Sequence, residues 1–416
     1  MNKYMNLIGQ NAKKAILNKI NTKTKNKVLE KYISLIEKEK KSILKSNLKD
    51  IKFAVKKKLK NNLIDRLILN SKKLNSIKQS VKNIIHLKDP IDNTLEKWTR
   101  PNGLIIKRVS ISIGVIGVIY ESRPNVTSDV SSLCFKSGNA VILRGGSEAI
   151  NTNKILAELF RKALKENKVN SNFVQFINNN NKKLVDYMLS KMNKQIDVII
   201  PRGGKSLVKR VQEISNVPII GHLEGICHTF VDKDANVKMA TNIIYNAKMR
   251  NTNICGATET ILLHKEIIKK FCNPVLKKLE ESNCKIYGDK ILKKYYRGKI
   301  YPAKEKDWST EYLSPIVSVK CVQNCSDAIN HINKYGTMHT DSIITNNNKT
   351  AKKFLKNVKS SIAIHNASTQ FADGGEFGFG GEVGISTSNL APRGPVGLGQ
   401  LISYKYEIKG KGQTRK

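Results

Sequence analysis

Cys255 stands in the stretch Asn253-Ile254-Cys255-Gly256-Ala257-Thr258-Glu259-Thr260, after the polar run Lys248-Met249-Arg250-Asn251-Thr252 and before the apolar Ile261-Leu262-Leu263. A cysteine on a polar turn beside a strand-like segment is presented rather than packed. Its thiolate would be a strong nucleophile, favoured by nearby cations and backbone N–H groups. A free cysteine is also a common small core residue, and the local sequence leaves both readings open. Two further stretches suit anion binding: Leu143-Arg144-Gly145-Gly146-Ser147-Glu148 and Ile200-Pro201-Arg202-Gly203-Gly204-Lys205-Ser206. Each follows an apolar run and precedes a helical pattern, so backbone N–H groups and adjacent cations could hold phosphates. Neither matches a Gly-x-Gly-x-x-Gly fingerprint or a P-loop, and a Gly-Gly pair is often only a turn. In Tyr120-Glu121-Ser122-Arg123-Pro124-Asn125-Val126, a rigid turn presents Asn125. Its amide could donate to a developing oxyanion, or simply close an Asx turn.

The elements that position these residues follow from periodicity. Residues 1 to about 100 read as helical: Leu29, Tyr32, Ile33 and Ile36 recur at helical spacing, with few Pro or Gly. A β-rich stretch begins at Gly103. Gly114–Tyr120 is a continuous apolar run of strand length, as expected for a strand buried on both faces. Strands at Ala140–Leu143, Phe173–Ile177 and Asp197–Ile200 alternate with helices over Asn151–Glu166 and Lys182–Lys191. This β-α-β rhythm predicts an open parallel sheet, with a nucleotide at the strand ends. A glycine-rich segment, Asp373–Gly381, leads through Arg393-Gly394-Pro395 to a last strand over Leu401–Tyr406 and a solvated tail.

A chain of 416 residues exceeds one compact core, so two or three domains are expected. No run of about 18 apolar residues occurs, and the N-terminus lacks an apolar signal core; a cytoplasmic protein without membrane association is expected. The seven cysteines (134, 227, 255, 272, 284, 321 and 325) are odd in number and form no Cys-x-x-Cys pair, which argues against a disulfide framework. Cys321 and Cys325 have no clustered His or Cys to complete a zinc set, so no metal is expected. The formal charge of +41 suggests a polyanion partner. The lysines are spread along the chain, however, and travel with asparagine and isoleucine. That pattern fits AT-biased codons better than a specific nucleic-acid surface.

Several ordered motifs carry a resemblance. They are Gly117–Thr127, Lys136–Glu148, His222-Leu223-Glu224-Gly225-Ile226-Cys227-His228, Asn246-Ala247-Lys248 leading to Cys255, Thr310–Ile316, Tyr335-Gly336 with His339-Thr340-Asp341, Asn366-Ala367-Ser368-Thr369, and Phe371–Gly381. With these the chain resembles the gamma-glutamyl phosphate reductases, a branch of the aldehyde dehydrogenase superfamily, from about residue 100 onward and more loosely before. The resemblance implies an α/β, aldehyde dehydrogenase-like fold with two Rossmann-like open sheets and a small β oligomerisation flap. It implies a cofactor domain over 1–107 and 125–228 and a catalytic domain over 229–365. A return segment to the cofactor domain would span 366–397, the flap 108–124 and 398–410, and the tail 411–416.

The same resemblance implies roles. Cys255 matches the catalytic thiol and Asn125 the oxyanion amide. Arg144 would contact the adenosine ribose and pair with a 2′-phosphate, favouring NADPH/NADP+; Gly145, Gly146 and Ser147 share that junction. Gly203 and Gly204 would approach the pyrophosphate, and Glu311 would hold the nicotinamide ribose. The implied reaction is NADPH-dependent reduction of L-glutamyl 5-phosphate to L-glutamate 5-semialdehyde in proline biosynthesis, with a separate glutamate 5-kinase as transient partner and a homo-oligomeric assembly. The alternative is a hydrolytic aldehyde dehydrogenase, in which a glutamate roughly 33 residues before the thiol activates water. Here that position is His222, and Glu224 is the nearest carboxylate. An acyl phosphate needs no deacylating water, so the missing glutamate favours the reductase. Two departures from the family pattern are Met338, where a small residue is usual, and Ala391-Pro392 before Arg393.

Overall fold

The computed structural model describes residues 2–59 and 61–415, without the side chains of 61 and 62. Met1 and Lys60 of the expected cofactor segment and Lys416 of the tail lie outside the described residues. The chain forms two compact units. One comprises Met1–Gly221, Gly378–Gly384 and Val396–Lys416; the other comprises His222–Phe377 and Ile385–Pro395.

The first unit opens with helices Asn2–Ala15, Thr22–Lys38, Lys40–Lys56, Asn61–Leu67 and Ser71–His86. In Thr22–Lys38 the expected apolar spacing is realised: Leu29, Tyr32 and Ile36 are buried. The Asn21 side chain caps its start by accepting from the Thr24 N–H. Tyr32 packs against Phe160 at 4.7 Å between ring centroids, and its hydroxyl pairs with Ser128 Oγ at 2.7 Å.

The helical reading ends early, because β1 (Thr94–Thr99) pairs antiparallel with β2 (Ile105–Ser112). All but one residue of β1 is exposed, so it carries no alternation for a sequence reading to detect. The parallel sheet follows: β3 (Val115–Tyr120), β4 (Ala140–Gly145), β5 (Val174–Phe176) and β6 (Val198–Arg202), in the order β5-β4-β3-β6. Every residue of β3 and β4 is buried, as continuous apolar runs require. The expected flap segment 108–124 therefore divides. Only its beginning belongs to β2, and its apolar run is an inner strand of the main sheet, where Ile116 and Val118 leave no exposed surface.

In the second unit, seven parallel strands follow: β7 (Cys227–Val231), β8 (Thr258–His264), β9 (Lys285–Gly288), β10 (Ile300–Pro302), β11 (Ile316–Val322), β12 (Thr340–Ile344) and β13 (Ile362–His365). Their order is β10-β9-β11-β8-β7-β12-β13. The chain crosses between units within β14 (Gly384–Ser386) and β15 (Gly394–Val396). Finally β16 (Ile402–Lys409) pairs with β2 and completes a three-stranded antiparallel sheet in the first unit. The boundaries thus differ from the expected ones. Residues 222–228, 366–377 and 385–395 belong with the second unit, because His222 bonds Ile385 and Thr369 bonds Gly256 there.

A buried carboxylate sets the start of helix Ile150–Glu166. Asp50, on Lys40–Lys56, is 1% exposed. It accepts from the Asn151 N–H and Nδ2 at 3.2 and 2.8 Å, and from the Thr152 N–H and Oγ1 at 2.8 and 2.6 Å. It is an N-terminal cap supplied by another helix, and its charge opposes the positive end of the macrodipole. Asp50→Asn keeps the shape but loses the charge, and should cost about 1–2 kcal/mol; Asp50→Ala orphans the donors and should cost about 2–4 kcal/mol. Urea unfolding at neutral pH measures both, and a change within about 0.5 kcal/mol for Asp50→Ala would refute the capping role.

Candidate active site

Two constellations stand out, one in each unit. In the first unit a cleft of about 730 Å³ opens where β3 and β4 end and helix Lys205–Ile214 begins; its lining includes Glu121, Arg144, Gly146, Ser147, Asn180 and Lys182. Parallel α/β sheets bind ligands at this carboxyl edge. Of the residues expected at a nucleotide, Arg144, Gly146 and Ser147 line the cleft. Gly145 closes β4 behind them, and Gly203 and Gly204 form the turn into the helix that supplies Ser206 and Leu207 to the lining.

At Gly203 a Cβ would lie 2.4 Å from Glu121 Oε2 and 2.6 Å from Leu207 Cδ2, so those two side-chain ends would have to shift to admit one. The Arg144 guanidinium donates to the Gly145 carbonyl and, at 3.5 Å, to that of Asn180. Its Nε is buried with no hydrogen-bond partner, an unspent donor at the cleft wall. Two carboxylates also sit here. Glu121 accepts the Gly204 N–H at 2.9 Å, and Glu148 accepts from the Ser122 N–H and hydroxyl. Burial pushes the Glu121 carboxyl up, against the Gly204 N–H. Glu121, Asn180 and Lys182 were not singled out from sequence, because chain spacing does not show which loops face the same strand ends.

Asn125 also belongs to the first unit, in the first turn of helix Pro124–Lys136. It is exposed, and its Nδ2 donates to Asp129 Oδ2 at 3.0 Å. One amide hydrogen is thereby used to fix the plane of the group, leaving the other. Asp129 is itself held by Ser80 Oγ at 2.8 Å.

In the second unit Cys255 lies on the turn before β8 and is half-buried, whereas the other six cysteines are buried. The Cys255 sulfur and one ring nitrogen each of His222 and His339 lie within 4.8 Å of one another. The imidazoles meet edge to face at 4.9 Å between centroids. His222 Nδ1 is 2.8 Å from the Ile385 carbonyl. A carbonyl only accepts, so Nδ1 carries a hydrogen, and Nε2 is the nitrogen that can gain or lose a proton. Burial pushes the Cys255 thiol up, but the charge and hydrogen bonding of His339 and His222 outweigh it and hold the thiol well below its usual range.

The backbone beneath the thiol is pinned on every side. Gly225 approaches so closely that a Cβ would stand 2.3 Å from the Cys255 carbonyl oxygen and 2.5 Å from its Cβ. Cys227, whose thiol is kept protonated by burial, donates its S–H to the Cys255 carbonyl at 3.0 Å. Thr369 Oγ1 donates to the Gly256 carbonyl at 2.7 Å, and Gln370 Nε2 to the carbonyls of Ala247 and Asn251. Glu311 accepts the Gly225 N–H at 2.8 Å. Burial raises its pKa, against the Gly225 N–H, and the nearby Cys255 adds to the rise. Met338, the departure beside His339, takes φ +59°, a left-handed conformation that only glycine adopts without strain. The sequence reading counted back to His222 but gave it no role, and it gave none to His339.

The sequence profile of the Aldehyde dehydrogenase family matches residues 6–291 and 301–391. The gamma-glutamyl phosphate reductase of Bartonella quintana (strain Toulouse) is 46% identical over 410 residues, 98% of this chain and 99% of the relative. That of Caldanaerobacter subterraneus is 46% identical over 397 residues, 95% of each. The crystal structure of gamma-glutamyl phosphate reductase from Thermotoga maritima superposes with a TM-score of 0.95 at 39% identity, covering 99% of this chain and 100% of that one. An acetylating aldehyde dehydrogenase from Geobacillus thermoglucosidasius, at 16% identity and a TM-score of 0.71, shares the fold. The chain belongs to the aldehyde dehydrogenase family and, within it, to the gamma-glutamyl phosphate reductases. The α/β fold expected from the motifs is the one observed.

The lowered thiol has a measurable sign. A thiol of ordinary pKa gains alkylation rate about tenfold per pH unit up to about pH 8.5. Cys255 is depressed, so its thiolate persists below the pH at which an ordinary thiol is protonated and is lost only as pH falls through the lowered pKa. Its iodoacetamide rate, followed by peptide mass spectrometry, should level off at a lower pH than that of an ordinary thiol and rise by clearly less than tenfold per unit between about pH 7 and pH 9. A tenfold-per-unit rise across that window would show that the imidazoles do not act on the sulfur.

Proposed function

We propose that the chain reduces L-glutamyl 5-phosphate to L-glutamate 5-semialdehyde and phosphate with NADPH, the second step of proline biosynthesis from glutamate. The observation that carries this reading is the Cys255 thiol held between two imidazoles, where a hydrolytic enzyme of the same superfamily would need a carboxylate base. The Cys255 thiolate attacks the acyl carbon and phosphate departs, leaving a thioester. The Cys255 backbone N–H would stabilise the oxyanion, a task that the family resemblance also gives the Asn125 amide. Hydride delivery to that thioester is the chemistry a bound nicotinamide cofactor supplies. The cleft of the first unit fits such a cofactor: it has the volume, a helix start for the pyrophosphate, cations, and the unpaired Arg144 Nε. Arg144, Gly145, Gly146, Ser147, Gly203 and Gly204 would hold the adenosine and pyrophosphate end, and Glu311 the nicotinamide ribose. Glu121 would have to release the Gly204 N–H to make room.

The surrounding assignments are of the same kind. The antiparallel sheet of β1, β2 and β16 exposes Tyr404, Tyr406 and Ile408 at 50, 53 and 62%, a surface suited to homo-oligomerisation. Acyl phosphates are labile, so a transient complex with glutamate 5-kinase is proposed as partner. Among the described residues no helix is long and apolar enough to cross a membrane, and a cytoplasmic site of action is proposed. The +41 charge is read as compositional, without a specific nucleic-acid partner.

The test of the function is NADPH oxidation coupled to glutamyl phosphate generated in situ. Cys255→Ser should abolish it while NADPH still binds, because a serine hydroxyl is scarcely ionised at neutral pH; turnover surviving in that variant would sink the assignment. Arg144 decides cofactor choice. If its guanidinium meets the 2′-phosphate, Arg144→Ala removes a charge-assisted bond and should lower the preference for NADPH over NADH by about 10- to 150-fold. A parallel loss of kcat/KM for both cofactors would mean that Arg144 only braces the Gly145 carbonyl it already touches.

A further inference from the structure

Phosphate is a good leaving group only if it is protonated as it leaves. An acyl phosphate dianion that breaks its C–O bond unaided releases a trianion, so the step calls for a general acid. The same step begins with a thiol whose proton must go elsewhere. The Cys255 cluster holds a group able to link the two needs. The part-exposed His222 has Nδ1–H fixed on the Ile385 carbonyl at 2.8 Å, and its ring also hydrogen-bonds the Cys255 thiol. His339 is placed differently. It is fully buried, and its Nδ1 is 2.9 Å from Thr340 Oγ1 and 3.5 Å from Cys227 Sγ. Its Nδ1 is taken up by these neighbours and the ring has no exposed surface, so it is placed to hold the geometry, whereas the part-exposed His222 is placed to exchange a proton with a substrate. Among the ionisable groups near His222 are the Cys255 thiol, the His339 ring and the Glu311 carboxylate.

We propose that His222 is the proton carrier of acylation: its Nε2 takes the Cys255 thiol proton and delivers it to the departing phosphate oxygen, with His339 as a positioning residue. This inference rests on the acyl phosphate reading of the substrate. The S–C bond forms and the C–O bond breaks. The proton passes from sulfur through Nε2 to oxygen, and the products are the Cys255 thioester, hydrogen phosphate and a neutral imidazole. No redox partner enters the step. The imidazole that serves here stands where the hydrolytic relatives would need a water-activating glutamate. One position thus serves the leaving group in one case and the incoming water in the other.

Acetyl phosphate and p-nitrophenyl acetate test this, because they give the same acetyl-Cys255 and differ only in what leaves. Nitrophenolate departs without a proton. Acetylation is followed by intact-protein mass spectrometry, and each rate is divided by the iodoacetamide rate at the same pH to remove thiolate availability. His222→Gln retains a donor for the Ile385 carbonyl. It should lower the normalised acetyl phosphate rate by about 100-fold or more and leave the normalised ester rate within about threefold, a smaller change than loss of a general acid produces. In the wild type the normalised acetyl phosphate rate should fall as pH rises and His222 loses its proton, while the ester rate does not. That pH contrast decides the matter by itself if the variant fails to fold. His339→Gln should change thiolate availability but not the contrast between substrates. Parallel losses on both substrates in His222→Gln, or a leaving-group contrast that vanishes in His339→Gln instead, would overturn the assignment. A wild-type enzyme that takes acetyl from acetyl phosphate yet does not reduce glutamyl phosphate would refute the substrate reading and leave the role of His222 standing.

Discussion

Gly225 lies against the Cys255 backbone so closely that any side chain on it would overlap the Cys255 carbonyl. Much of the unit serves to hold that contact. Glu311 binds the Gly225 N–H, Cys227 binds the Cys255 carbonyl and Thr369 binds the Gly256 carbonyl. With its backbone fixed this way, the sulfur cannot retreat from the two imidazoles, and the electrostatic preference for thiolate becomes a property of position rather than of a mobile turn. Preorganised polar groups of this kind require no reorganisation at the moment of reaction.

A buried ion pair stiffens the neighbouring layer. Lys248 and Glu259, both without exposed surface, pair between helix Val237–Met249 and β8. Glu259 also accepts the Leu313 N–H at 3.2 Å, which ties the loop carrying Glu311 to the strand that follows Cys255. Burial raises the Glu259 carboxyl to about 7, with Lys248 and the Leu313 N–H pulling against it. Such a pair is weak evidence for stability, since desolvation offsets much of its attraction. Its role here is registry: it sets the distance between a loop and a strand that both border the thiol.

The sequence was a good guide wherever one short stretch decides the outcome. The apolar runs of β3 and β4, the Leu29–Tyr32–Ile36 stripe and the polar turn at Cys255 are all local patterns. It was a poor guide wherever strand order decides. Glu311 precedes β11, Cys255 precedes β8, Gly225 precedes β7 and His339 precedes β12, and those strands are adjacent in the order β11-β8-β7-β12. Parallel neighbours bring their entry loops to one edge of the sheet, so residues 117 positions apart (339 − 222) become partners on the same sulfur. No spacing rule along the chain predicts that. The flap boundary was misplaced for a related reason: the apolar run of β3 and the exposed hairpin before it are contiguous in sequence but belong to different sheets.

The route of the chain through its two units has a consequence for synthesis. The first unit is begun by the earliest residues and finished by the last ones, since β16 pairs with β2 and the Leu401 carbonyl accepts Asn139 Nδ2 at 2.8 Å. A ribosome therefore releases the whole second unit before the first can close its antiparallel sheet. Until then β2 presents an unpaired edge, open to strands of other chains. The second unit likewise waits for Ile385 to give His222 its carbonyl. Cys255 and the strand that follows it emerge well before the residue that completes the proposed proton carrier, so the thiol is made first and its partner is assembled only once residue 385 has emerged.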